Sequence, residues 1–140
     1  MIIGFTGTQE GMSAVQLQTL QTLILRNAIT IASELHHGDC VGADAQAHYI
    51  AQNLNMSIVV HPPTNDRKRA HCSGEKTEVL RPFPYLMRNK HIVNASEWLI
   101  AAPKEFDEQL RSGTWSTIRY AVNKGRDVSI ILPDGVIRCR

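Results

Sequence analysis

The stretch MIIGFTGTQEGMSAVQ, residues 1–16, carries the signals that decide the fold. Residues 1–5 form a short apolar run of the kind that makes a buried strand, and residues 6–11 form a polar loop with two glycines. Ser13 and Gln16 have the spacing of a capping box, which opens a helix. A strand, a glycine-containing loop and a helix in this order predict the start of a βαβ unit, and so an α/β fold.

The rest of the chain repeats this alternation. A short strand is predicted near residues 34–37, and the apolar runs at residues 56–61, 98–102 and 128–132 predict three further strands. Helices are predicted after Gly42, over about residues 84–94, and from 113 to Gly125. The helix after the first strand is predicted from apolar residues recurring at three and four positions: Leu17, Leu20, Ile24, Ala28, Ile31 and Leu35. We expect one domain over residues 1–140, built as three α/β/α layers around a mostly parallel sheet of about five strands.

The composition narrows the classes of function. A net charge of +2 over 140 residues argues against a protein that wraps duplex DNA, but it permits a local pocket for a small anion. Residues 14–35 are interrupted by polar and charged side chains, so this run does not predict a membrane span. The three cysteines have no CxxC spacing, and residues 1–5 read as a strand rather than a signal peptide. We therefore expect free thiols and a cytoplasmic location.

One polar region, residues 64–82, raises two questions of its own. His71 and Cys72 are adjacent, which could suggest metal ligands, but no second pair lies at zinc spacing. We expect a loop histidine, a free cysteine and no metal. The same region carries Arg67, Lys68 and Arg69, a charge run typical of solvated surface, with a ligand lid as the alternative.

Three of the loops that precede helices contain glycine. Gly7 lies in the first, Gly38 and Gly42 lie in the second, and Gly113 lies in the last. In a parallel sheet these loops meet at the carboxyl edge, where ligands bind and where helix N-termini present free N–H groups. Turn geometry and helix capping explain the first loop equally well.

The stretch RSGTWST, residues 111–117, is the strongest local signal for an anion. Its hydroxyl side chains exceed what one helix cap requires, and Arg111 adds a cation beside them. We therefore predict a phosphate-binding turn here. Arg88 and Lys90, on the preceding helix, could reach the same site or face solvent.

Two segments resemble known protein families. GDCVGADAQAH, residues 38–48, resembles the GxxxGxDxxAH stretch of the DNA-processing protein A (Smf) family. Arg88-Asn89, together with Ser112-Gly113-Thr114 and Thr117, is similar to a segment shared by that family and, more loosely, by the Lonely Guy phosphoribohydrolases. The resemblance to this SMF/LOG (SLOG) superfamily implies a Rossmann-like fold that binds nucleotides or related phosphorylated ligands.

The resemblance also implies roles for individual residues. Combined with the pattern of loops, it predicts a nucleotide-binding protein that senses, carries or sequesters a phosphorylated nucleotide or nucleotide-derived signal. We expect the phosphate to contact Arg88, Arg111, Ser112, Gly113, Thr114 and Thr117. We expect the sugar or base to contact Gly7, Thr8, Asp39, Gly42 and Asp44. The resemblance further implies a homodimer, and we expect no cofactor apart from the nucleotide itself.

Two other functions remain open. A hydrolase that cleaves the N-glycosidic bond of a nucleoside monophosphate is one, but Thr117 stands where the Lonely Guy enzymes carry a catalytic glutamate. Asp39, Asp44 or Glu10 would then have to supply the carboxylate. Binding of single-stranded DNA is the other, and the basic residues Arg67–Arg69 and Arg81 form only a loose cluster for it.

Overall fold

The computed structural model describes residues 1–27 and 33–140 and contains one mixed sheet with helices on both faces. The elements follow in the order β1 (Ile2–Gly7), α1 (Ala14–Asn27), β2 (Glu34–His37), α2 (Ala43–Asn53), β3 (Ser57–Val60), β4 (Thr77–Val79), α3 (Tyr85–Ala95), β5 (Trp98–Ala102), α4 (Gly113–Asn123), β6 (Asp127–Ile131) and β7 (Ile137–Cys139). No described helix is long and apolar enough to cross a membrane.

The sheet has the strand order β4-β3-β2-β1-β5-β6-β7. All neighbouring pairs are parallel except β6 and β7. The predicted α/β class with a mostly parallel sheet is therefore confirmed, but the sheet has seven strands instead of five. The two unpredicted strands, β4 and β7, are short edge strands with mostly exposed residues. Edge strands of this kind lack the apolar pattern on which a prediction from sequence depends.

Apolar side chains on the two faces of the sheet form two separate clusters. One cluster joins Ile3 and Phe5 of β1 to the buried faces of α1 and α2. The other joins Leu99 of β5 and Ile130 of β6 to α3 and α4. These clusters give the three predicted layers, and the near-continuous apolar strands between them fit a sheet that is covered on both faces.

The start of α1 has the predicted capping box. The Ser13 amide donates to Gln16 Oε1 at 3.0 Å, and the Gln16 amide donates to Ser13 Oγ at 3.2 Å. Gln16 is buried, and its Nε2 also donates to the carbonyls of Pro103 and Ile131. The start of α1 is therefore tied to the ends of β5 and β6. Of the predicted apolar stripe, Leu35 lies on β2, and Ala28 and Ile31 lie outside the described residues.

The order in which strands are added to the sheet reverses at β1. It adds β2, β3 and β4 on one side of β1 and then returns to place β5 and β6 on the other. Helix α1 packs on one face of the sheet and α4 packs on the other, so the loops after β1 and β5 diverge. Such a switch point leaves a crevice at the carboxyl edge, where open α/β sheets bind their ligands.

Candidate functional site

A cavity of about 810 Å³ lies at this switch point. Its walls come from the end of β1 and the loop after it, from the loop after β2, from the start of α3, and from the segment between β5 and α4. The predicted site residues that line it are Gly7, Thr8, Asp44, Arg88, Arg111, Ser112, Gly113 and Thr114. Thr117, Asp39 and Gly42 do not belong to its lining. We name the wall formed by residues 104–114 the α4 rim, and the wall formed by residues 38–44 the β2 loop.

The α4 rim presents the open end of helix α4 to the cavity. Ser112 is the N-cap, and its Oγ accepts from the Trp115 amide at 3.2 Å. A side-chain carbon added to Gly113 would meet nothing within 4 Å, so the space beside this residue is free. The buried indole of Trp115 donates to Glu105 Oε1 at 3.0 Å, which holds the rim against the helix. The Trp115–Glu105 hydrogen bond therefore fixes the rim to the helix, and the space beside Gly113 stays open.

Thr117 lies away from the cavity. It is buried one turn into α4, and its hydroxyl donates to the Gly113 carbonyl at 2.9 Å. Helical threonines commonly bond the carbonyl four residues earlier. The hydroxyl-rich sequence could not show that this hydroxyl bonds its own helix.

Asp39 is buried and Gly42 is half-buried, and both belong to the scaffold of the β2 loop. The Asp39 carboxylate accepts from the Cys72 amide and from Arg69 Nε, both at 2.8 Å. Gly42 has a φ of +87°, and a side chain on it would collide with the backbone carbonyl of Gln9. This close approach lets the Ala43 amide donate to the Thr8 carbonyl at 2.9 Å. Both residues thus position the two loops around the cavity.

Asp44 is the buried acid of the cavity. Its Oδ2 accepts from the amides of Gly38 at 3.1 Å and Cys40 at 3.2 Å. Burial raises the pKa of this carboxyl to about 6, although the Arg88 charge and the two amide hydrogen bonds act in the opposite direction. The cavity therefore contains a carboxyl group that changes charge near neutral pH.

Arg88 lies at the cavity, but its guanidinium is also bonded to the surrounding protein. Nη1 donates to the carbonyls of Gly38 and His61, and Nε donates to Asn89 Oδ1 at 2.8 Å. Nη2 lies 3.7 Å from Cys40 Sγ. This arginine therefore ties α3 to the ends of β2 and β3 and brings a positive charge to the cavity wall. Lys90 is exposed, with its ammonium 5.6 Å from the Tyr120 ring centre.

Two lysines at the cavity were not among the predicted site residues. Lys68 comes from the basic region and lines the cavity, whereas Arg69 bonds Asp39 and Arg67 is exposed. Lys104 follows β5 and forms an exposed ion pair with Glu10 at 3.4 Å. The charge run at residues 67–69 was the only sequence signal for Lys68, and it did not show which of the three cations lines the cavity.

A buried histidine pair lies behind the β2 loop. The Asp39 amide donates to His37 Nδ1 at 3.0 Å, so the proton of this ring is on Nε2, which donates to His48 Nδ1 at 2.9 Å. His48 Nε2 then donates to the Ser73 carbonyl at 3.0 Å. Burial and the neighbouring histidines lower the pKa of His37 to about 3.

Cys72 completes a possible metal-ligand set with this pair. Its sulfur and one nitrogen of each ring lie within 4.8 Å of one another. A metal ion there would have to displace the proton between His37 and His48. It would also have to deprotonate a thiol whose pKa burial and Asp39 raise to about 12. His71, which the sequence paired with Cys72, is exposed.

No protein-family model and no curated protein sequence matches this chain. Solved structures do. A molybdenum cofactor binding protein from the phototrophic bacterium Rippkaea orientalis has a TM-score of 0.68 and 20% identity, over 94% of this chain and 76% of that one. The molybdenum cofactor carrier protein of Chlamydomonas reinhardtii has a TM-score of 0.61 and 18% identity, over 92% and 74% of the two chains. DNA processing protein A from Helicobacter pylori has a TM-score of 0.60 and 16% identity, over 93% and 64%.

At these identities the comparisons establish the shared Rossmann-like fold, as the SLOG resemblance implied. They also correct one expectation. The sequence led us to expect no cofactor, but similar structures are those of molybdenum cofactor binding and carrier proteins. Side-chain pattern alone does not separate the two ligand classes, because a turn that binds a phosphate group does not reveal what the phosphate is attached to.

Proposed function

We propose that this chain binds and carries a small phosphorylated organic cofactor in the cavity at the switch point. The molybdenum cofactor is the first candidate, because similar structures are named for it. A nucleoside monophosphate is the second candidate, because it combines the same two parts, a phosphate and a planar nitrogen heterocycle. The observation that carries the proposal is the cavity itself, which has the open end of α4 on one wall and the buried Asp44 on another.

The phosphate end of the ligand belongs at the α4 rim. The amides of Gly113 and Thr114 have no protein acceptor among the described residues. Free amides at the first turn of a helix attract an anion, both by hydrogen bonding and through the helix dipole. Arg111, Lys104 and Lys68 line the same cavity and add positive charge. Arg88 contributes its charge from the opposite wall.

Binding without hydrolysis agrees best with the residues present. Thr117, at the position of the Lonely Guy glutamate, is buried and bonded to its own helix. The carboxylates that do line the cavity are Glu10, Asp44 and Glu105. None of them occupies the position in the helix that the resemblance assigns to the catalytic acid. Release of a free base from nucleoside monophosphates would favour the hydrolase instead.

Mass spectrometry of the small molecules released from the purified, denatured protein is the direct test. We expect a phosphorylated heterocycle, and the mass separates a pterin from a nucleotide. Calorimetric titration with GMP and with guanosine then isolates the role of the phosphate, and we expect guanosine to bind at least tenfold more weakly. Absence of any bound molecule, together with equal affinity for GMP and guanosine, would refute the proposal. Homodimer formation and cytoplasmic location remain predictions.

A further inference from the structure

Asp44 is a buried carboxylate that the protein satisfies only in part. It is 5% exposed and lines the cavity. Both hydrogen bonds it receives go to Oδ2, and among the described residues Oδ1 has no hydrogen-bond donor. No described lysine, arginine or histidine forms an ion pair with it. Burial of the residue disfavours its charged form, as the raised pKa shows, and Oδ1 is not among the fully buried atoms that lack a partner, so a molecule in the cavity can supply its donors.

We propose that Asp44 recognises the heterocycle of the ligand by accepting its N–H groups at Oδ1, and that it thereby selects a 2-amino-4-oxopyrimidine edge. Guanine and pterins share this edge, which places a ring N–H beside an exocyclic amine. Both are donors, and a carboxylate oxygen has two lone pairs to receive them. Adenine presents a ring nitrogen that is an acceptor beside its amine. The lone pair of this nitrogen would face the carboxylate oxygen unfavourably. This inference rests on the proposed function and names the ligand class within it.

The position of Asp44 fits the length of such a ligand. Asp44 follows β2 and Gly113 follows β5, and β1 lies between these two strands. Two strand spacings correspond to roughly 10 Å. A phosphate at the α4 rim and a heterocycle at Asp44 are thus separated by about the length of a monophosphate ligand. Both residues line the same cavity.

The Asp44→Asn substitution distinguishes recognition of a ligand by Asp44 from a purely structural role of this residue. If Asp44 served only to shape the β2 loop, Asn would largely replace it, because the amide oxygen can still accept from Gly38 and Cys40. The substitution changes the atom at the position of Oδ1, because an Asn amide placed with its oxygen toward Gly38 and Cys40 has an NH₂ group there. An acceptor is thereby replaced by a donor of similar size. A donor at this place prefers xanthine, which carries an oxygen where guanine carries the amine.

The experiment measures the affinity of the wild-type protein and of Asp44→Asn for GMP, xanthosine monophosphate (XMP) and AMP. We expect the wild type to prefer GMP to AMP and XMP by at least tenfold. We expect Asp44→Asn to lose at least tenfold in GMP affinity and to gain XMP affinity. Asp127→Asn is the matched control, because it removes the same charge from an exposed position at the start of β6, away from the cavity.

A second measurement does not depend on the folding of the variant. Wild-type protein is titrated with 1-methyl-GMP, which lacks the ring N–H, and with inosine monophosphate, which lacks the amine. We expect both to bind more weakly than GMP, with the methylated ligand at least tenfold weaker.

The two proposals fail in different ways. Equal affinity of the wild type for GMP, AMP and XMP, with guanosine still weak, would overturn the role of Asp44 and leave phosphate binding in place. An equal loss of GMP and XMP affinity in Asp44→Asn would overturn it as well. If no phosphorylated ligand binds the wild type and none copurifies with it, both proposals are wrong.

Discussion

The two walls of the cavity contain similar glycine-rich motifs that have different physical roles. In the α4 rim, the amides of Gly113 and Thr114 have no acceptor among the residues that the structure describes, and the cations are exposed. In the β2 loop, the polar groups are buried and almost all bonded to distant parts of the chain. Asp44 is the exception, because its Oδ1 receives no hydrogen bond from any described residue. The difference shows that the α4 rim leaves its polar groups open to the cavity, whereas the β2 loop uses most of its polar groups to hold its own backbone in place.

We expect the largest difference between the two walls when a glycine of each is replaced by alanine and the free energy of unfolding is compared. Gly42→Ala places a side chain against the Gln9 carbonyl at a positive φ, and we expect a loss of about 3 to 5 kcal/mol in the free energy of unfolding. Gly113→Ala meets nothing, and we expect a change below about 0.5 kcal/mol. Urea denaturation of both variants provides the measurement. Equal losses would mean that the walls do not differ in packing.

We expect acid to destabilise the folded protein through the buried histidines next to the β2 loop. Burial, with the neighbouring histidines and Arg88, lowers the pKa values of His37 and His61 to about 3. Between pH 6 and 4 these two side chains therefore bind protons in the unfolded chain and not in the folded protein. Asp44, with its pKa raised to about 6, takes up one proton in the folded state and partly offsets them. The net difference of one proton predicts that the free energy of unfolding falls by about 1.4 kcal/mol per pH unit between pH 6 and 4.

Denaturation curves recorded across this pH range measure the slope directly. Asp44→Asn removes the opposing proton, and we expect its stability to fall more steeply with acid than that of the wild type. A stability that is flat or rises as the pH falls below 6 would contradict the burial of neutral histidines in the folded protein.

Removing Arg88, which bonds the β2 loop from α3, or Lys104 of the α4 rim compares a bonded charge with an open one. Arg88→Gln leaves the buried carbonyls of Gly38 and His61 without their donor, and we expect a loss of about 2 kcal/mol in stability. Lys104→Gln breaks only an exposed ion pair with Glu10, and we expect a stability change below about 0.5 kcal/mol. Thermal and urea unfolding measure both effects, and GMP titration of Lys104→Gln should show weaker binding. An unchanged stability in Arg88→Gln would mean that its side chain is free for the ligand.

A charge placed at the open wall should affect binding and leave folding intact. Gly113→Asp puts a carboxylate where the phosphate belongs, and we expect at least a tenfold loss of GMP affinity by calorimetry. An acidic residue in the first turn of a helix is favourable for folding, so stability should not fall. Gly113→Asn is the matched control of the same size without the charge. If both variants bind GMP like the wild type, the α4 rim does not contact the phosphate.

Much of the fold could be predicted from the sequence because the signals are local. The five predicted strands correspond to β1, β2, β3, β5 and β6, and the capping box of Ser13 and Gln16 opens α1. The edge strands β4 and β7 were missed because their residues are exposed and carry no apolar period. Most of the residues that the sequence predicted for the site line the cavity, and whether they bind a ligand stays a prediction.

By itself, the sequence determined the order of the five inner strands and the four helices, and the loops that meet at the carboxyl edge, because periodicity and capping act over a few residues. Only the tertiary structure decided which polar groups of those loops are free. Asp39 is bonded by Cys72, 33 residues away, and Gly38 by Arg88, 50 residues away. Hydrogen bonds between distant segments leave no periodic trace in the chain. For that reason a motif residue that holds the scaffold and one that is free for a ligand look the same until the fold brings their partners together.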